Sequence, residues 1–266
     1  MRVSMATSAA GTGRSNEDFA GAVPGAVVLL DGAGIPGSES ICSHGVAWYT
    51  HRLGGALLGM LSRGDGRDVA EILAAAIEEI AEDHRDTCDI SDVNSPQAIV
   101  AVVRAYRGRL DHLLLGDSFL VLDQVHDGPR VLTDERELAA VRACTAPLSG
   151  IPEGTPEFDR LWASCVAALR ARRNRPGGYW IAKDDPRVAG EAVTGSVALS
   201  ELNGVALLSN GASRVLEPYG LTDWPGVLEL LRAEGPREVL RRVRQAETHP
   251  DAPPADDATV THWVID

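Results

Sequence analysis

The spacing of apolar positions changes several times along the chain, and each change predicts an element. Residues 27–31 are a continuous apolar run with β-branched content that closes on an aspartate, the pattern of a buried strand. From Ser38 to about Ser62 the spacing turns helical, and a second helix over 68–86 puts Val69, Ile72, Leu73, Ala76, Ile77 and Ile80 on one face. Short β-type runs follow at 97–106, 112–125 and 129–133, separated by Gly and Asp turn signals, which predicts an antiparallel meander. Residues 134–144 read as helix, and 155–174 as an amphipathic helix with a Thr cap and Pro in its first turn. Strand and turn chemistry returns at 176–182 and 194–213, two helices cover about 224–233 and 235–247, and "DDATVTHWVID" predicts a last strand. Strict βαβ alternation is absent, which counts against a Rossmann-like or flavodoxin-like sheet. No internal repeat stands out, and the Pro-rich stretch 249–257 is the nearest thing to a flexible loop.

With 266 residues and 44% hydrophobic content, the chain is long enough for one domain with a substantial core, here taken as residues 1–266. The formal net charge of −13 is spread along the sequence, so its field repels nucleic acid and anionic membrane surfaces and does not argue against divalent cations. The four cysteines, Cys42, Cys88, Cys144 and Cys165, form no C-x-x-C pair and read as reduced thiols. Cys42 and His44 make a C-x-H pair that could seed a zinc site, but no second ligand pair stands out at the usual structural-zinc spacings. The N-terminal residues lack the apolar core of a signal peptide and no segment approaches a membrane span, so the expectation is a soluble, cytoplasmic protein. Trp48 and Tyr49 are read as core.

Polar oxygen donors recur where strands meet turns: Asn16, Glu17 and Asp18 in "RSNEDF", Asp31 in "VVLLDGAG", Asp117 in "LLLGDSF", Asn210 in "LLSNGAS", and Asp256 with Asp257 in "ADDATV". Any one of these is ordinary turn chemistry, because Asp, Asn and Gly tolerate the left-handed region and bond their own backbone. As a set they deliver oxygen ligands to the ends of several apolar strands, which is what Mg²⁺ or Mn²⁺ requires. An ionised Asp closing a buried strand is costly unless a cation or a set of donors compensates it.

In motif order the sequence resembles the metal-dependent protein Ser/Thr phosphatases of the PPM, or type 2C, family. "GRSNEDF" looks like R-x-x-N-E/Q-D, "VVLLDGAG" like V-x-D-G-x-G-G, "LLLGDSFLVL" like the G-D-S-R motif, "VALLSNGASRVL" like L-x-S-D-G, and "DDATVTHWVI" like the final D-N-x-T-x-V-V strand. The resemblance covers the whole chain. It implies an α+β fold, a four-layer α-β-β-α sandwich of two antiparallel sheets flanked by helices, with a binuclear metal centre at one end. It also implies that Asp31 bridges two Mg²⁺ or Mn²⁺ ions and that the Gly32 carbonyl with Glu17 and Asp18 completes one site directly or through water. Asp256 and Asn210 would bind the other ion, Asp117 a weaker third, and Arg14 the phosphate oxygens of a phosphorylated protein substrate.

Several positions depart from the family pattern. Asn210 stands where the family usually has Asp, which removes a negative charge from the metal site. Ala33 stands where many eukaryotic members carry a general-acid His, and many bacterial members lack that His too. Phe119 replaces the Arg of G-D-S-R, and Arg14 lies one residue nearer the acidic pair than is common. Asp256 and Asp257 leave the liganding carboxylate open, with alignment to the following Thr favouring Asp256. The stretch at about 146–194 is an atypical flap-like insertion carrying Arg170, Arg172, Arg173 and Arg175, which suit either an acidic partner or the negative end of a helix dipole. The functional expectation is dephosphorylation of phosphoserine and phosphothreonine proteins through a metal-activated water. The alternatives are a degenerate phosphatase serving as a binding or regulatory module and a phosphatase of a small metabolite.

Overall fold

The computed structural model describes residues 1–34 and 41–265. Alternation of side chains along the apolar strands sets the layering, since successive residues point to opposite faces. One five-stranded antiparallel sheet has the order β1 (Arg2–Ser8), β10 (Ala258–Val264), β9 (Leu202–Leu208), β6 (Phe119–Gln124), β7 (Arg130–Leu132). The other has the order β2 (Phe19–Val23), β3 (Ala26–Ala33), β4 (Gln97–Tyr106), β5 (Arg109–Leu115), β8 (Val193–Ala198).

In β3, Val27 and Leu29 meet Leu120, Leu122, Leu207 and Trp263 of the facing sheet, while Val28 and Leu30 turn outward. They pack there on α1 (Gly45–Leu61) and α2 (Val69–His84) through Leu53, Leu57, Ile72 and Ile77. On the far side, Val121, Ala206, Leu208 and Val260 pack on α6 (Trp224–Ala233) and α7 (Pro236–Ala246) through Val227, Leu231, Val239 and Val243. The result is the expected α-β-β-α sandwich. Each fully buried Val or Leu contributes about 1.5–3 kcal/mol. The apolar residues of β3 therefore offset the cost of carrying a carboxylate at its end.

The helices begin where the sequence supplies caps. Asp68 and Glu71 form a capping box at α2, Asp134 caps α3 (Glu135–Thr145), and Thr155 caps α4 (Pro156–Arg172) by accepting from the Phe158 N–H at 3.2 Å. α1 starts later than its periodicity suggests, at Gly45 with His44 as N-cap; residues 38–40 of the expected helix lie outside the described residues. The expected meander over 112–125 is in fact broken. After Leu115 the chain leaves one sheet, and it enters the other at Phe119. Gly116 makes that step with φ +91°, where a Cβ would stand 2.7 Å from Ile99 Cγ1.

Residues 176–182 form no strand and make isolated bridges, Arg173 with Tyr179 and Ala98 with Ala182. Tyr179 and Ile181 pack with Ile99 and Ala140. Arg173 turns inward, donating to the Tyr179 hydroxyl at 3.2 Å and to Gln97 Oε1 at 3.1 Å, while Arg172 and Arg175 stay exposed. Among the described residues no helix is long and apolar enough to cross a membrane.

Candidate metal centre

The registers bring all five acidic motifs to one end of the sandwich. Phe19 pairs with Leu30, so β2 begins where β3 ends, and β5 ends at that same level because Leu115 pairs with Val100. In the other sheet Leu208 at the end of β9 pairs with Phe119 at the start of β6 and with Val260 near the start of β10. Ser8, the last residue of β1, pairs with Ala258. The connections 9–18, 116–118, 209–210 and 256–257 therefore meet. Asp31 continues the series of Val27 and Leu29, so its side chain enters the space between the sheets just beyond the apolar core.

α5 (Asn210–Ser213) opens at this end, and its first residue serves two carboxylates. The Asn210 backbone N–H donates to Asp31 Oδ2 at 2.9 Å, and the Asn210 side-chain amide donates to Asp117 Oδ2 at 2.9 Å. Asp18 and Asp117 are buried; neither carboxylate oxygen of Asp18 has a hydrogen-bond partner, nor has Oδ1 of Asp117. Burial pushes the Asp18 carboxyl up to about 7, with Asp257 and Asp256 adding to the rise and the nearby Thr259 and Ser209 side chains opposing it. Burial also pushes Asp117 up to about 6, reinforced by Asp134 and Asp256. Asp31 is raised well above the carboxylate range by burial, then by the charges of Asp18, Asp117 and Asp256, against the Asn210 N–H. Glu17 is raised by burial and by Asp257, and Arg14 opposes that rise from its exposed place on the same loop.

The two C-terminal aspartates have separate tasks. Asp257 accepts 2.6 Å hydrogen bonds from the backbone N–H of Ala10 and of Glu17, one on each oxygen, and so clamps the loop that carries the acidic pair. Asp256 is exposed, pairs with Arg214 at 3.0 Å through Oδ2, and accepts the Asp257 N–H at 3.0 Å on Oδ1. Asn16 completes the frame by accepting from the Asp18 N–H at 3.0 Å and donating to Thr7 Oγ1 at 2.7 Å.

Two glycines permit this convergence. A Cβ on Gly32 would stand 2.5 Å from the Glu17 carbonyl oxygen and 2.7 Å from Glu17 Cβ. One on Gly211 would stand 2.0 Å from the Asp257 carbonyl oxygen and 3.2 Å from Asp256 Cβ. Gly211→Ala is therefore expected to cost about 1–3 kcal/mol in urea unfolding. Gly59→Ala, in α1 with nothing within 4 Å of its Cβ position, is expected to stabilise by roughly 0.5–1 kcal/mol. Equal behaviour of the two variants would contradict the close approach.

The motifs do not announce Glu137. Its Oε2 is buried without a partner, and burial together with Asp117 pushes its carboxyl up to about 8, with Arg173 opposing. Asp134, buried and paired with Arg136 at 2.6 Å, adds to that upward push. In the sequence both read as the opening of a helix, and a D-x-x-E spacing after a strand was the available signal.

A crowd of partnerless carboxylate oxygens, with no other element among the donors, fits hard divalent cations such as Mg²⁺ or Mn²⁺. Solved structures of closely similar shape are known. The serine/threonine phosphatase Stp1 from Staphylococcus aureus is 14% identical, with 99% of this chain and 94% of that chain covered at a TM-score of 0.61. The Mycobacterium tuberculosis serine/threonine phosphatase PstP/Ppp is 16% identical over 100% of this chain and 99% of that one, at a TM-score of 0.60. This chain has the PPM phosphatase fold. The PPM fold also matches the catalytic domain of PstP in complex with two manganese ions, at 17% identity, 100% and 98% coverage and a TM-score of 0.60. No protein-family model and no curated protein matches the sequence.

Proposed function

We propose that this protein is a divergent PPM-family hydrolase that removes phosphate from phosphoserine and phosphothreonine in proteins, using Mg²⁺ or Mn²⁺. The observation that carries this reading is the convergence of Glu17, Asp18, Asp31, Asp117 and Asp256 from both sheets, with partnerless oxygens on Asp18 and Asp117. Asp31, with the Gly32 carbonyl, Glu17, Asp18, Asp256 and the Asn210 side-chain oxygen, would hold two ions, and Asp117 a weaker third. Such ions supply charge neutralisation at phosphoryl oxygens and a water of lowered pKa.

The chain's own groups prepare the rest. The Asn210 N–H holds the Asp31 carboxylate in place, Asp257 fixes the loop bearing Glu17 and Asp18, and exposed Arg14 at the lip would bind phosphate oxygens through its two-pronged guanidinium. The net charge of −13 disfavours nucleic acid as a partner. Hydrolysis of an aryl phosphate and a phosphothreonine peptide, with Mg²⁺ and Mn²⁺ titrated separately, tests the proposal; metal-independent rates or none at any metal level would overturn it. Activity on the peptide also separates a protein substrate from a small metabolite.

Arg14→Ala is expected to raise KM for both substrates by about 10–100-fold with a smaller change in kcat, because a contact made equally in ground and transition states appears in KM. An unchanged KM in a folded variant would remove Arg14 from the phosphate site. The contact of the Asn210 amide with Asp117 favours one second reading. It supplies a donor where a cation would otherwise be needed, which suits a regulatory module that keeps the fold with weakened metal binding.

A further inference from the structure

Where α1 begins and α2 ends, the C-x-H pair finds the partners that its sequence neighbourhood lacks. Cys42 precedes α1, His44 is its N-cap, His84 is the last residue of α2, and Cys88 lies in the following turn. That turn folds back because the Thr87 and Cys88 N–H groups both donate to the His84 carbonyl, at 3.1 and 3.0 Å. The backbone N–H of Asp89 then ties to Ile41 O at 3.0 Å. Four candidate ligand atoms consequently lie within 4.8 Å of one another.

We infer that Cys42, His44, His84 and Cys88 form a structural zinc site, distinct from the acidic centre. The separations are 3.3 Å between the two sulfurs, 3.3 Å from His44 Nδ1 to Cys88 Sγ, and 3.9 Å from Cys42 Sγ to each of His44 Nδ1 and His84 Nδ1. A tetrahedral zinc with Zn–S of about 2.3 Å and Zn–N of about 2.0–2.1 Å requires about 3.8 Å between the sulfurs and about 3.5 Å between sulfur and nitrogen, and the observed separations lie within about 0.5 Å of these. Two sulfurs and two imidazole nitrogens select zinc, as the all-oxygen donors of the other centre select Mg²⁺ or Mn²⁺. Four protein ligands leave no open position, so the site is structural and does no chemistry on substrate.

The surroundings offer hydrogen-bond donors to both sulfurs, although burial leaves the Cys42 thiol raised overall in the absence of a cation. Backbone N–H groups of Gly45 and His44 bear on the Cys42 sulfur, and that of Ser43 on Cys88. Trp48 stacks on the His44 ring with centroids 4.4 Å apart, fixing its orientation. Cys42 and His84 are buried, while His44 and Cys88 are half-buried, which leaves an entry path. Binding releases the two thiol protons to water and ties the start of α1 to the end of α2, in the layer that packs on the outer face of β3. A Cys42–Cys88 disulfide would instead require the sulfurs to close to about 2.05 Å and would leave both imidazoles without a common partner.

The test uses the full chain expressed with zinc in the medium and dialysed free of Mg²⁺ and Mn²⁺. Elemental analysis is expected to find about one zinc per chain. Exchange with Co²⁺ is expected to give tetrahedral d–d bands and a sulfur-to-cobalt charge-transfer band in the wild-type protein. Cys42→Ser and Cys88→Ser are expected to cut that band to about half or less and to lower the bound zinc, whereas Cys144→Ser and Asp31→Asn keep both the band and the zinc. If the single-ligand variants do not fold, a wild-type cobalt spectrum that persists unchanged in the Cys144→Ser/Cys165→Ser double variant assigns the thiolates to Cys42 and Cys88, and its loss there overturns the assignment. Absence of stoichiometric zinc together with a featureless cobalt spectrum, or a Cys42–Cys88 disulfide mapped in the non-reduced protein, would overturn the inference.

Discussion

Asp31→Asn is expected to lower phosphate ester hydrolysis by about three orders of magnitude or more, and at the same time to stabilise the protein held free of Mg²⁺ and Mn²⁺. Both effects come from the same place. Asp31 is the carboxylate on which the charges of Asp18, Asp117 and Asp256 converge, so removing its charge relieves a repulsion that only a cation otherwise neutralises. Asn keeps the shape and can still accept the Asn210 N–H.

The pH dependence follows with a definite sign. The folded protein raises Asp18 to about 7 and Asp117 to about 6 from an ordinary value of 3.8, so it binds protons more tightly than the unfolded chain. Stability from these groups is full below the ordinary carboxylate range and is lost as pH rises through 6 to 7. Wild-type protein without added ions should therefore melt at a lower temperature at about pH 8 than at about pH 5, and Mn²⁺ should reverse the loss. In Asp31→Asn the fall should be shallower and the Mn²⁺ response small. Calorimetric melting across pH, beside a rate assay, reads all of this; near wild-type turnover with the same metal dependence would contradict the proposed centre.

Asn210→Asp is expected to move the metal titration of activity to lower concentration by about tenfold or more, since oxygen-donor sites tune affinity by the number of charged ligands. The structure adds an opposite effect in the absence of metal. The Asn210 amide donates to Asp117 at 2.9 Å, and a carboxylate in its place would face Asp117 as a like charge. The variant should melt lower than wild type without added ions and higher with Mn²⁺. Mn²⁺ calorimetry with parallel rates separates the readings. Tighter binding with faster hydrolysis at limiting metal supports an enzyme weakened by Asn210. Tighter binding with no hydrolysis supports a regulatory module, and unchanged binding removes residue 210 from the ligand set.

Much of the fold was legible because it rests on short-range periodicity. The run 27–31 closed by Asp31, the face of α2, and the Thr155–Pro156 start of α4 are encoded within a few residues of where they act. The meander over 112–125 misled because a Gly-Asp-Ser turn looks the same whether the chain pairs with itself or crosses to another sheet. The N-terminal strand Arg2–Ser8 is not legible in the sequence for a similar reason: its partly exposed alternation is weak, and it is held by pairing to residues 258–264.

By itself, then, the sequence determined where strands end and that oxygen donors stand at those ends. Only the tertiary structure decided which of those donors share a space. It divided Asp256 from Asp257 by giving the latter two backbone N–H groups to hold, it turned Asn210 into a donor for Asp31 and Asp117, and it brought in Glu137. It also joined Cys42 and His44 to His84 and Cys88. The physical reason is distance along the chain. Asn210 and Asp31 are 179 positions apart and Cys42 and Cys88 are 46, so their meeting is fixed by strand register and helix packing, to which no local spacing of residues refers.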